Sequence, residues 1–201
     1  MTQSNLVGAG QVNSASGVVN AYNRIGRQND VIVSNLHGKY YEQAYNGKMF
    51  VVANQAAVTT TAALATTWTG LAISNPTGSG VNAVVNLFSC AQFAVGAAGA
   101  VGIMTGSGAA AGSLVPRNCL VGSPTGSVTA SAGATIATPV LERVFGSLGS
   151  LATTGYGLMP AAIWDLDGAL IVPPGYFAAS YTTVITTTAL IFGFQWEEVP
   201  I

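Results

Sequence analysis

Side chains that could do chemistry are scarce in this chain of 201 residues. It has one histidine, His37, between Leu36 and Gly38. A Ser-His-Asp relay needs an imidazole held between a nucleophile and a carboxylate, and many hydrolases present their serine from a Gly-x-Ser-x-Gly elbow. That elbow is missing, and one imidazole cannot build a metal site that needs several. His37 therefore reads as a turn residue or an interface hydrogen-bonder. Phosphate cradling fails as well. No Gly-x4-Gly-Lys-Ser/Thr run occurs, and Gly106 to Gly112 (GSGAAAG) lacks the spacing of a dinucleotide loop and a helix after it.

The carboxylates give little more. Asp165 and Asp167 in DLDG resemble the opening of a calcium loop. Its glycine comes too early, however, and the twelfth position would be Tyr176 where a glutamate is needed. On a strand the two would share a face, which a cation could reconcile, but Asp167-Gly168 fits a hairpin turn better. Glu197 and Glu198 are neighbours, so on a strand they point to opposite faces and form no acid/base pair. They read as a solvated strand end. Cys90 and Cys119 are the only cysteines, with no Cys-x-x-Cys. An even count permits a disulfide, but free thiols fit a cytoplasmic product better. The expectation is no catalytic centre, no metal and no cofactor.

The scaffold for these groups is almost without charge. Lys and Arg total 6 and Asp and Glu total 7, so 6% of residues are charged where about 25% is ordinary. Hydrophobic residues make up 50%, glycine supplies 25 positions, and mean hydropathy is +0.49. A net charge of −1 and a pI near 5.6 leave no basic patch for phosphates, which argues against nucleic-acid binding. Disorder is disfavoured too, because disordered chains pair low hydrophobicity with high net charge. From Met49 to Pro116 no ionisable side chain occurs except Cys90. Such a surface is poorly defended against association, so other subunits are expected to cover much of it. The best membrane window, Asn86 to Met104, contains Ser89, Gln92 and three glycines and has no flanking Lys/Arg cluster. It suits strands better than a spanning helix. The first residues show neither a basic n-region nor an apolar h-region, so the chain is expected to be made and kept in a cytoplasm.

Residues 1–30 are rich in Asn, Ser, Gly and Gln and show no sustained apolar period. They predict an extended N-terminal arm, ordered where a neighbour holds it. Arg24 and Arg27 close this arm. They are candidate anchors onto an acidic partner surface, against the simpler role of solvating the arm. Residues 31–201 form the predicted sandwich domain. VIVSNL, KMFVVANQAAV and GLAISN are short β-branched or aromatic runs broken by His37-Gly38, Asn46-Gly47 and the stretch from Asn75 to Gly80. Further strands are predicted at 82–95 and 101–104, with loops at 106–112 and 122–133. Asn46-Gly47 and Asp167-Gly168 predict two hairpin turns. Pro173-Pro174-Gly175 ends a strand, since proline cannot donate to a ladder. Val140 to Leu151 is the one candidate for a short helix, weakened by its glycines. At the C-terminus, Leu190, Phe192, Phe194 and Trp196 share one parity while Ala189, Ile191, Gly193 and Gln195 share the other. This predicts a half-buried antiparallel strand with its large residues in the core and Tyr176–Thr183 as its partner. The fold class is all-β, a sandwich or barrel without fixed-period repeats. Tyr40, Tyr41 and Tyr45, in KYYEQAYNGK, are candidate partner contacts, because a tyrosine has one apolar end and one that hydrogen-bonds.

The C-terminal block DLDGALIVPPGYFAASYTTVITTTALIFGFQWEEVPI resembles the last strands of trimeric jelly-roll proteins. In these a Pro-Pro-Gly corner precedes a strand of small residues and an aromatic strand closes the domain. VSNLHGKYYEQAYNGKMFVVANQA and ISNPTGSGVNAVV resemble segments of tailed-bacteriophage virion proteins. The blocks cover less than half the chain, and residues 96–135 match no such pattern. The resemblance implies an antiparallel jelly-roll sandwich with an extended N-terminal arm. It also implies a structural role, as a non-enzymatic capsid decoration (cement) protein. Such a protein would form homotrimers on the exterior of a phage head and bind the major capsid protein, with neither nucleic acid nor membrane as partner. Arg24, Arg27, Tyr40, Tyr41 and Tyr45 are the expected capsid or subunit contacts. The alternative is a head-fibre or tail-tip adhesin that binds a host receptor or glycan, with Trp68, Asn75 and Asn82 as candidate loop-tip contacts.

Overall fold

The computed structural model describes residues 11–14, 17–20, 38–92, 99–108, 112–148, 162–185 and 190–201. The chain divides into two units, Met1–Lys39 and Tyr40–Ile201, whereas its composition changes near residue 30. In the first unit, β1 (Gln11–Ser14) and β2 (Gly17–Asn20) pair antiparallel, with Gln11 opposite Asn20 and Ser14 opposite Gly17. This part of the predicted arm is a paired ribbon and not a single extended strand.

The second unit runs α1 (Tyr41–Tyr45), β3 (Met49–Ala53), β4 (Thr67–Asn75), β5 (Val81–Gln92), β6 (Gly99–Ser107) and β7 (Arg117–Asn118). It continues with β8 (Thr129–Thr135), β9 (Val140–Leu148), β10 (Ala162–Val172), β11 (Tyr176–Thr182) and β12 (Leu190–Pro200). The strands form two five-stranded antiparallel sheets, ordered β10-β5-β12-β3-β7 and β8-β4-β11-β6-β9. The fold is all-β, as the short β-branched runs predict.

Several local expectations change. Val140–Leu148 is no helix but β9, paired with β6 from Leu148 opposite Gly99 to Val140 opposite Thr105. Val140 and Val144 are β-branched and Gly146 weakens a helix, so ladder pairing with β6 prevails. The Asn46-Gly47 signal does not join two strands; it closes α1. Gly47 has φ +67°, its N–H donates to the Ala44 carbonyl and the Lys48 N–H donates to the Gln43 carbonyl. That pair of bonds is a Schellman stop. Asp167-Gly168 is likewise no hairpin. Both residues have positive φ, +49° and +74°, but they form a bulge inside β10, where the pairing slips from Asp165 opposite Leu87 to Leu170 opposite Val85. Asp167, Gly168 and Gly47 take the positive φ their composition favours, while Asn46 stays at φ −79°. Whether the chain reverses there depends on the partners around it.

Pro173-Pro174-Gly175 does end β10. The Tyr176 N–H donates to the Pro173 carbonyl and Gly175 has φ +85°, a type II turn with proline first and glycine second. The turn carries the chain from one sheet to the other, so strands adjacent in sequence do not pair. Nor is β12 paired with Tyr176–Thr182, as its sequence suggests. It lies between β5 and β3, while β11 lies between β4 and β6.

The parity of β12 is as predicted. Leu190, Phe192, Phe194 and Trp196 are all buried, packed with Phe50, Val85 and Phe88 of their own sheet and Leu71, Ile73, Ile103 and Ala178 of the other. Each such side chain contributes about 1.5–3 kcal/mol on burial. Phe88 is the node of this core. Its ring lies 4.9 Å from Phe194, 5.5 Å from Phe145, 5.7 Å from Trp164 and 6.0 Å from Phe192. Phe88→Ala removes four ring contacts at once and should cost about 3–5 kcal/mol. A large fall in the denaturant midpoint at unchanged slope checks this, and a loss below about 1 kcal/mol contradicts the node.

Candidate functional site

A surface cleft of about 550 Å³ lies where the end of α1, the start of β3, the end of β12 and the loop after β7 meet. Tyr45, Lys48, Phe50, Asn118, Leu120 and Glu198 line it, together with residues 123–127 of that loop. Its size is that of a ligand pocket.

Glu198 sets the cleft wall. It follows the buried parity of β12, two residues after Trp196, and is 7% exposed. Its carboxylate accepts the backbone N–H groups of Ser127 and Val128, one on each oxygen, both at 2.9 Å. Hydrogen bonds to an ionised carboxylate are among the stronger kinds, and this pair pins the loop to the sheet. Gly126 permits the approach, since a Cβ there would overlap the Glu198 carboxylate. The solvated strand end read from the sequence is therefore wrong for Glu198, because the loop supplies donors that balance its desolvation. Glu197, on the opposite face, is half-buried, and burial raises its carboxyl above the usual range.

Asn118 is the second fastener. Its Nδ2 donates to the carbonyls of Gly47 (2.9 Å) and Pro124 (3.2 Å), and its Oδ1 accepts the Leu120 N–H at 2.9 Å. The stop of α1, strand β7 and the loop are thereby tied to one amide. Beyond it, the Ser123 N–H donates to the Leu120 carbonyl, Gly122 has φ +92°, and Val121 stands at the turn tip, 95% exposed.

The five predicted contact residues fall into three groups. Arg24 and Arg27 lie outside the described residues, as does His37. Tyr41 and Tyr45, one helical turn apart, stack at 5.8 Å and 15° and are 41% and 64% exposed, with Tyr45 on the cleft. Tyr40 is half-buried, and its hydroxyl donates to Asp165 Oδ1 at 3.1 Å. That same oxygen accepts the Asp167 N–H at 2.9 Å, which braces the bulge of β10. Of the residues named for an adhesin, Trp68 and Asn75 are buried. Trp68 Nε1 donates to the Ser180 carbonyl, and Asn75 Nδ2 donates to the carbonyls of Val81 and Val172. Both are structural fasteners, and only Asn82, half-buried, reaches the surface.

Both cysteines are free thiols. Burial pushes Cys90 up to about 12 and raises Cys119, so neither supplies a thiolate near neutral pH. Among the described residues no group of three or more His, Cys, Asp or Glu could hold a metal ion. Among the same residues no helix is long and apolar enough to cross a membrane. The cleft thus sets Tyr45 and Leu120 against a wall whose one carboxylate is engaged by backbone donors. This arrangement suits contact.

Glu198, Asn118, Gly126 and Val121 were not singled out from sequence as site residues. Three of them fall in the stretch that matched no pattern. Glu198 had a usable signal, because it shares its parity with Trp196. No family model, curated protein or solved structure matches this chain.

Glu198→Gln sets an amide nitrogen against one of the two N–H donors and should cost about 1–3 kcal/mol, read from the denaturant midpoint. An unchanged midpoint would show that the loop needs no clamp. Glu197 gives a pH signature. Its raised folded value favours the folded state below the ordinary carboxylate range, and that contribution is lost as pH rises through the folded value. Glu197→Gln should therefore lose less stability than the parent between about pH 4 and pH 7. Parallel profiles for the two proteins would contradict the burial effect.

Proposed function

We propose that this protein is a structural component of a virion, a jelly-roll capsid decoration protein that assembles as a homotrimer on the exterior of a phage head and binds the major capsid protein. The observation that carries the reading is the strand pairing. β4 pairs with β11, β5 with β10 and β6 with β9, each pair nested inside the one before, like one long hairpin wound around a barrel. A jelly roll winds four such nested pairs, and the fourth of this series is the outermost, β3 with β12; β7 beside β3 and β8 beside β4 each add one edge strand to a sheet.

Surface chemistry supports the same role. A charged fraction of 6% and exposed aliphatic side chains favour passive contact, and contact is what cementing a shell requires. At about 25 cal/mol per Å², apolar contact of ordinary interface size outweighs the entropy of association only when many such residues are buried together. In this reading residues 1–30 serve as an arm that anchors the protein to the lattice, with Arg24 and Arg27 at its end and Tyr41 and Tyr45 as further contacts. The burial of Trp68 and Asn75 removes two contacts from the adhesin alternative. The cleft beside Tyr45 is where such an activity would reside.

The purified protein, added to heads prepared without it, should attach saturably and raise the temperature at which the shells open by a few degrees. A form lacking residues 1–29 should fold but attach at least about tenfold more weakly. No attachment of the full chain overturns the decoration reading, and specific glycan binding without any effect on the shell would favour the adhesin.

A further inference from the structure

Asn46-Gly47 is the one Asn-Gly pair in the chain, and Asn46 stands exposed on the cleft. An asparagine before glycine is prone to close on the backbone, because the glycine has no Cβ to screen its nitrogen. In that reaction the Gly47 nitrogen attacks Asn46 Cγ. A nitrogen–carbon bond forms, the Cγ–Nδ2 bond breaks, and the departing group takes the Gly47 amide proton to leave as ammonia. Water then opens the cyclic imide at either carbonyl, leaving aspartate or isoaspartate at position 46. The only co-reactant is water.

The stop of α1 stands in the way. Closure needs the Gly47 N–H released and its nitrogen swung to the Cβ side of the Asn46 Cα–C bond. At a ψ of 4° that nitrogen lies over the residue's own N instead. Its N–H is committed to the Ala44 carbonyl at 3.0 Å, and the next amide, Lys48 N–H, to the Gln43 carbonyl at 2.9 Å. Asn118 fixes the other side of Gly47, since its Nδ2 donates to the Gly47 carbonyl at 2.9 Å. That amide is anchored in turn, by the Pro124 carbonyl and the Leu120 N–H.

We propose that Asn46 is a site of spontaneous deamidation in the folded protein, reached only when the stop of α1 opens, and that Asn118 holds this stop shut. The product works against the helix that shielded it. It sets a carboxylate beside the carbonyls that end α1, where the last turn has no basic residue to offset it. Isoaspartate also adds a carbon to the backbone, so the bonds to Ala44 and Gln43 lose their register. Because α1 carries the Tyr41–Tyr45 stack, the modification loosens that pair and does not reverse unaided.

Timed storage of the full chain in mildly alkaline buffer, followed by peptide mass spectrometry with isoaspartate labelling, tests this. Asn46 should convert at least about tenfold more slowly in the folded parent than in the same chain unfolded in urea. Asn118→Ala removes two donated bonds and one accepted bond, and should speed conversion in the folded state about fivefold or more. Exchange of the Gly47 amide should quicken in the same variant, because one opening releases both. Phe88→Ala weakens the core and leaves these bonds in place, so it controls for a general loss of stability. Equal rates in the folded and unfolded parent, or an Asn46 that never converts in the folded parent, overturn the gated site without recourse to any variant. If Asn118→Ala converts no faster than the parent, or no faster than Phe88→Ala, Asn118 is not the latch.

Discussion

Everything in the 40–201 unit depends on one asymmetric burial. One sheet presents large rings, Phe50, Phe88, Phe192, Phe194 and Trp196, and the facing sheet answers them with Leu71, Ile73, Ile103, Ala130 and Ala178. Interiors are filled to crystalline density, so a ring-rich layer needs a lean one opposite it. Ala130 and Ala178 leave room beside aromatic side chains supplied by β5 and β12. Gly106 does the same for Phe177 of β11, since a Cβ there would crowd that ring and the Ala137 carbonyl.

How much of this could be read from the sequence divides along the range of the interaction. Alternation along β12 needs only the two-residue period of a strand, so Leu190, Phe192, Phe194 and Trp196 were legible as core from spacing alone. Conformational preference was legible too, because Asp167-Gly168 and Asn46-Gly47 do take positive φ or abut it. Pairing was not. The partners of β12 are β5 and β3, more than ninety residues away in the chain, and nothing local to β12 distinguishes them from the nearer β11. β8 escaped notice because TASAGAT has no bulky side chain to mark a face, and β9 because its bulges disturb the alternation that would have revealed a strand.

The cleft shows the same division in polar terms. Its tyrosines could be named from composition. Its wall could not, because Glu198 and the N–H groups of Ser127 and Val128 lie about seventy residues apart and meet only in the folded chain. A carboxylate that seems a solvated end in one dimension is a rivet in three. Asn118 does the same for α1 and the following loop with neutral groups.

The nested ribbon has a consequence for the order of events in a cell. β3 is among the first strands of its unit to leave the ribosome, yet its central neighbour β12 comes some 140 residues later. Folding dominated by such distant pairings is slow and leaves strand edges bare while it proceeds. The first sheet cannot close around β12 until synthesis has passed residue 190, so no surface that depends on this sheet exists before the last strand of the unit has been made.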